Sequence, residues 1–503
     1  MNFRIAATLT LSLTLATAVT AQPSGFPNYA GMITAMQNAE ANYPAICKAV
    51  NITATYGTPK TWRGNDIWGV KISDNVGQEE NEPAFLMVSS HHSNEYGTPI
   101  VALHAITQLT EGYATNPDIK SVVDKNEIWI LPLCNPDGYW RSRHNSNPNG
   151  TVDLNRNYPF SWGFRCNSGV KGSGPGSEPE TKAVVALSED QRFAKVIDFH
   201  SSGRETLYGY RQGSSCATHR LQSYLRAEAI LVSSASGYSG RVRGPSSDGE
   251  HYQHQLGAYS NYAFLTEISN TQSPSITSAD AEAVRVFPGT MFMLNRPIPV
   301  SGNVTNAATG APIQANISYI ENPFTHGERN RSDPQHGRYH AWLPTGNHTL
   351  RFQHPCFVTQ TIPVTVTEGG VILDVELAPT CAECSERNGS GVNSTGFNCT
   401  TLPILGANWA SSIPTVASTV STHLGLSSSA AQTPLLGGEF LLGVAPIAPI
   451  FVAGNGSHAI GIPNSTPLLG AVLHAQGFRV DSAGAGSSLK MFNAQIVTVG
   501  KNP

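Results

Sequence analysis

His92 and Glu95, in His92-Ser93-Asn94-Glu95, and His200, 108 positions after His92 (200 − 92), are residue types able to hold a divalent metal ion. Two neutral imidazole nitrogens and one carboxylate make the three-ligand set of an open catalytic zinc site, whose fourth tetrahedral position is left for water. His91 stands four residues before Glu95 and competes with His92 for the register. The segments leading into the ligands, Phe85-Leu86-Met87-Val88 and Val196-Ile197-Asp198-Phe199, are short, apolar and partly β-branched, as buried strands of a helix-covered sheet should be. The ligands then sit just past strand carboxyl ends, where open α/β sheets place their crevices.

Further polar motifs surround this set. Asn135-Pro136-Asp137-Gly138-Tyr139 is a turn signal, and Asp153-Leu154-Asn155-Arg156-Asn157 follows it. Phe264-Leu265-Thr266-Glu267-Ile268 is an apolar run broken by one carboxylate, which is costly to bury without a partner or a task.

Together these segments resemble the funnelin-type zinc carboxypeptidases over about Pro27 to Pro297, with His-x-x-Glu, Asn-Pro-Asp-Gly, Asp-Leu-Asn-Arg-Asn, Ser177-Glu178-Pro179-Glu180-Thr181, His-Ser and Thr-Glu-Ile in family order. The spelling His-x-Asn-Glu is similar to the N/E regulatory branch. The resemblance implies one zinc per chain on His92, Glu95 and His200, and places Glu267 as the general base that takes the water proton. Arg143, in Arg143-His144-Asn145, matches the family's oxyanion donor, with Arg141 an alternative on spacing alone. Asn155 and Arg156 would clamp the substrate's terminal carboxylate, and Asp153 would set the tautomer of the first histidine.

The tyrosine that covers substrate in the family transfers less directly. Tyr238 is the nearest candidate, in a stretch running through Arg241, Arg243, Asp248, Glu250 and His251 that reads as a rebuilt specificity loop or as flexible surface. Asp248 or Glu250 would suit a basic side chain at the cleaved end; the commoner fate of such residues is a solvated loop acid.

Met1 to Ala21 has one early cation, Arg4, then an apolar Ile5 to Val19 stretch and a small-residue site before Gln22, which reads as a secretory signal peptide. No later stretch reaches the roughly 18 apolar residues of a membrane span. A net charge of −4 offers no basic footprint for nucleic acid. Eight cysteines in an exported chain favour disulfides, Cys166 with Cys216 among them. Cys134 reads as a buried free thiol, and Cys381, Cys384 and Cys399 read as bridges rather than metal ligands. The short stretch after Gln22 argues against an inhibitory pro-domain.

The expected order is therefore a signal peptide (1–21), an α/β, mixed-sheet zinc carboxypeptidase domain (22–297), a β-sandwich (298–379) resembling the transthyretin-like domain of the N/E branch, a Cys/Gly/Ser-rich linker (380–400) and a low-charge, all-β module (401–503). Cell-surface attachment, carbohydrate binding and plain stability are all open for that last module. The leading expectation is a secreted enzyme removing single residues from peptide or protein C-termini. Its alternatives are a zinc deacylase or amidase on acyl-amino acids or cell-wall peptides, and a peptide-binding pseudopeptidase; the intact ligand set and Glu267 weigh against the last.

Overall fold

The computed structural model describes residues 24–163, 170–212, 215–245, 247–445, 448–484 and 486–503. The expected leader (1–21) and the Cys166 half of the expected Cys166–Cys216 bridge lie outside the described residues. The chain forms two compact units, one running to Arg296 and taking in Thr325–Glu328, the other comprising Pro297–Phe324 and Arg329–Pro503.

The first unit is built on one eight-stranded sheet. Its strands are β1 (Cys47–Asn51), β2 (Trp68–Ile72), β3 (Ala84–Ser89), β4 (Glu127–Leu131), β5 (Lys195–Ser201), β6 (Glu205–Leu207), β7 (Val242–Arg243) and β8 (Tyr262–Ile268). They lie side by side as β1-β2-β4-β3-β5-β8-β6-β7. The central strands β4, β3, β5 and β8 are parallel, while β1–β2, β2–β4 and β8–β6 are antiparallel, so the sheet is mixed, as expected. β3 and β5 are buried along their whole length, which is what strands covered on both faces require. Leu86 and Val88 of β3 pack with Ala183, Val184 and Leu187 of α1 (Pro179–Gln191) and Leu256 of α2 (His251–Tyr259) in the main core cluster.

In the second unit, Val300–Asn306 alternates buried and half-buried residues at every step, the period-2 signature of a strand with one covered face. It joins a four-stranded sheet with Arg338–Ala341, Val371–Ile372 and Val375–Leu377, and a three-stranded sheet follows from Asn316–Tyr319, Gly346–Gln353 and Gln360–Val366. The remainder is mostly β, with a five-stranded and a three-stranded sheet and a core cluster that includes Phe397, Trp409, Leu424 and Val497.

The expected linker over 380–400 is corrected by these sheets. Glu383–Arg387 pairs along its length with Gly486–Thr498, and Asn398–Cys399 pairs with Asn408–Ser412. Disulfides Cys356–Cys381 and Cys384–Cys399 fasten the same stretch. Its Gly, Ser and Asn content reads as flexible chain, but backbone pairing and covalent bridges need no apolar side chains, so composition does not register them. Cys47 and Cys134 are buried free thiols among the described residues, as expected for Cys134.

Candidate metal centre and active site

The first ligand loop leaves the end of β3 through Ser90, whose φ of 63° turns the chain sharply. His92 and Glu95 are closed into a turn by the Glu95 amide, which donates to the His92 carbonyl at 3.1 Å. His200 is the last but one residue of β5. The three side chains are buried and converge: His92 Nδ1 lies 2.9 Å from Glu95 Oε1, and His200 Nδ1 lies 3.1 Å from His92 Nδ1 and 3.2 Å from Glu95 Oε2. Two imidazoles and a carboxylate, facing one another with ligand atoms all within 4.8 Å, are a donor set that zinc suits. Burial would lower the His92 pKa, but the Glu95 and Asp153 carboxylates outweigh it and hold it at about 9. Burial would raise Glu95, but the two imidazoles hold it at about 2.

His91 is settled by its partners. Its Nε2 lies 2.8 Å from the Tyr158 hydroxyl, and Asp198, which clusters with His91 and His200, is taken by His251 Nδ1 at 2.5 Å and the Tyr252 amide at 3.1 Å. His92 is therefore the member of this pair of neighbours that faces Glu95.

Asp153 supports the cluster from behind. Its Oδ1 stands 3.0 Å from His92 Nε2, which keeps the proton on that nitrogen and turns Nδ1 toward Glu95 and His200. The same oxygen accepts the Asn155 amide at 3.0 Å, capping the short 3₁₀ turn Leu154–Arg156. Asn155 Nδ2 reaches His200 Nε2 at 3.3 Å, while its Oδ1 accepts the His251 amide at 2.8 Å. Arg156 Nη1 donates to the Asn155 carbonyl at 2.6 Å and to Glu250 Oε1 at 3.2 Å. Gly249 permits this approach: its φ is +70°, and a Cβ there would meet the Arg156 carbonyl at 2.6 Å.

Arg143 comes to the same place on the loop after the Asn135 turn. Its carbonyl accepts the Ser93 amide at 3.1 Å, its Nη2 approaches His92 Nε2 to 3.2 Å, and Nη1 stands 3.6 Å from Glu95 Oε1. Gly138 in that turn has no room for a side chain, since a Cβ would lie 2.4 Å from the His144 carbonyl and 2.6 Å from Ser93 Oγ. Arg141 instead lines a separate cavity of about 460 Å³ with Arg63 and Tyr139, so of the two arginines it is Arg143 that reaches the cluster.

Glu267 lies abreast of His200 in the β8–β5 register and abreast of Glu205 in the β8–β6 register. Residues abreast on neighbouring strands share a face, so a row of His200, Glu267 and Glu205 crosses the sheet. Burial raises the Glu267 carboxyl to about 7, and its Oε2 is buried without a hydrogen-bond partner among the described residues.

Tyr238 is not brought to this row. It is 3% exposed and donates its hydroxyl to Glu282 Oε1 at 2.5 Å. It sits in the turn just after the helix Gln222–Ala235, where its ring serves packing, so the expectation that it covers substrate is corrected. Sequence reasoning also missed Glu205 and the position of Arg243, whose Nε donates to Glu205 Oε1 at 2.8 Å. Arg243 belongs to a strand rather than a free loop. A two-residue strand leaves no periodic signal, so nothing in the sequence separates it from surface chain.

Residues 32–281 match the sequence profile of the zinc carboxypeptidase family, peptidase M14. The chain is 38% identical over 152 residues to a zinc carboxypeptidase of Saccharothrix mutabilis subsp. capreolus, covering 28% of this chain and 34% of that one. It is 31% identical over 193 residues to metallocarboxypeptidase A of Trichophyton rubrum, covering 33% and 44%. With carboxypeptidase D of Homo sapiens it shares 30% over 171 residues, covering 32% and 12%. The matched regions span less than half the length of these relatives. Residues 32–281, which carry the His92, Glu95 and His200 cluster at the end of the central strands, form a domain of the zinc carboxypeptidase family.

Proposed function

We propose that the protein is a secreted, zinc-dependent carboxypeptidase that removes single residues from peptide C-termini. The observation that carries this reading is the grouping of His92, Glu95 and His200 beside Glu267 on one side and Asn155 and Arg156 on the other. His92, Glu95 and His200 would hold the zinc, which when bound lowers the pKa of a water to about 7 and polarises the substrate carbonyl.

The remaining steps belong to the chain's own side chains. Glu267 takes the proton of the attacking water and delivers it to the departing amine; a carboxyl held near 7 suits both directions of transfer at neutral pH. Arg143, a few ångströms from His92 and Glu95, donates to the oxygen of the tetrahedral intermediate. Arg156 and Asn155 bind the free carboxylate, which sets the cut at one residue from the end. Export rests on Met1 to Ala21 and on the two disulfides of the second unit. The β-sandwich expectation for 298–379, and with it the N/E branch, is supported by the alternating strands there and by His-x-Asn-Glu.

Amidating the C-terminus of a good peptide substrate tests the clamp. The amide loses a charge-assisted bidentate contact, so hydrolysis should slow by orders of magnitude. Equal rates on acid and amide would overturn the exopeptidase reading and favour an amidase or endopeptidase.

A further inference from the structure

The two acids that would suit a basic C-terminal residue are already matched inside the protein. Both oxygens of Asp248 lie 2.8 Å from Lys171 Nζ, and Glu250 is held by Arg156 at 3.2 Å and by Gln253 Nε2 at 2.6 Å. Both are buried. The charge that stands outward beside Glu267 has the opposite sign. Arg243 has 39% of its side chain exposed, against 17% for Glu267 and 18% for Glu205. Its Nε is tied to Glu205 at 2.8 Å, and its Nη2 stands 3.8 Å from Glu267 Oε1, beyond hydrogen-bond range.

From this geometry we propose that Arg243 is a specificity-determining residue that receives the side-chain carboxylate of an acidic C-terminal residue, Glu or Asp. The inference rests on the carboxypeptidase reading above and deepens it to a substrate class.

The fold gives Arg243 the means for this. β7 pairs in parallel with β6, Val242 opposite Thr206 and Arg243 opposite Leu207, so its backbone is held by the sheet that carries Glu267. Glu205 anchors the guanidinium by one edge, and an anchored planar fork loses less freedom on gripping a carboxylate than a loose lysine does. A C-terminal lysine would bring its ammonium against this guanidinium, with Glu205 already engaged.

The test is a set of acyl-dipeptides that share a penultimate residue and end in Glu, Gln, Leu or Lys. The wild-type protein should favour Glu over Gln in kcat/KM by at least about tenfold, with Lys the poorest. Arg243→Gln should bring the Glu/Gln ratio close to one, and Arg243→Lys should keep part of it. Each ratio is taken within one protein, so a smaller folded fraction cancels. A flat wild-type ratio, a preference for Lys, or a ratio unchanged in Arg243→Gln would overturn the assignment of Arg243 alone. No turnover on any of the four would instead sink the carboxypeptidase reading, and this inference with it.

Discussion

Replacing Asp153 by Ala should loosen zinc before it disturbs the sheet. The carboxylate touches no metal ligand atom that faces the cluster; it stands 3.0 Å from His92 Nε2, on the far side of the ring from Nδ1. Without it, His92 is free to carry its proton on Nδ1, the nitrogen that must be bare to bind. Loss of such a supporting partner typically costs 10- to 100-fold in metal affinity, or about 1.4 to 2.8 kcal/mol. A second effect runs the other way. In the metal-free protein Glu95 and Asp153 hold His92 at about 9, so near neutral pH zinc must displace a proton, and removing Asp153 reduces that competition. The comparison therefore belongs above about pH 9, where His92 is largely neutral and only the orienting contribution remains. Competition against a chromophoric chelator measures the dissociation constant directly. A folded Asp153→Ala protein whose zinc affinity at that pH lies within twofold of wild type would refute the supporting role.

Two other outcomes follow from buried groups. Glu180 has its carboxyl raised to about 8, chiefly by burial, while in the unfolded chain it titrates near its ordinary 4.5. Between those values the folded state holds a proton the unfolded state has lost, so stability should fall as pH rises from about 4.5 to 8, by up to roughly 5 kcal/mol. Glu180→Gln should flatten that part of a urea-midpoint profile; parallel profiles for the two proteins would contradict it. Tyr238→Phe should cost about 1 kcal/mol of stability, seen as a lower Tm, because the hydroxyl given to Glu282 is lost. The same variant should leave KM unchanged on any peptide, and a raised KM would return Tyr238 to the substrate.

The parts of the site that could be read in the sequence are those whose chemistry leaves a local mark. A carboxylate inside Phe264–Ile268 and two histidine motifs after apolar runs announce themselves, because burying such groups is costly without a task. The parallel core was readable from the apolar runs Phe85–Val88 and Val196–Ile197 inside β3 and β5. What was hidden depends on register and pairing. Arg243 gains its meaning from lying opposite Leu207, two residues beyond the Glu205 that it reaches back to grip. Tyr238 is displaced because a hydroxyl partner, Glu282, waits 44 residues downstream. The stretch at 380–400 is held by ladder bonds and disulfides, which polar composition does not reveal.

The central claim is that Glu267 drives water activated at His92, Glu95 and His200. It is tested most directly by the kcat of zinc-loaded Glu267→Gln on a peptide that the wild type turns over. The amide keeps the shape and reach of the side chain but cannot accept a proton at neutral pH. Removal of a positioned general base costs about 10²-fold or more, so kcat should fall by at least that factor while zinc content and KM change little. A glutamine variant that holds zinc and turns over as fast as wild type would contradict the account.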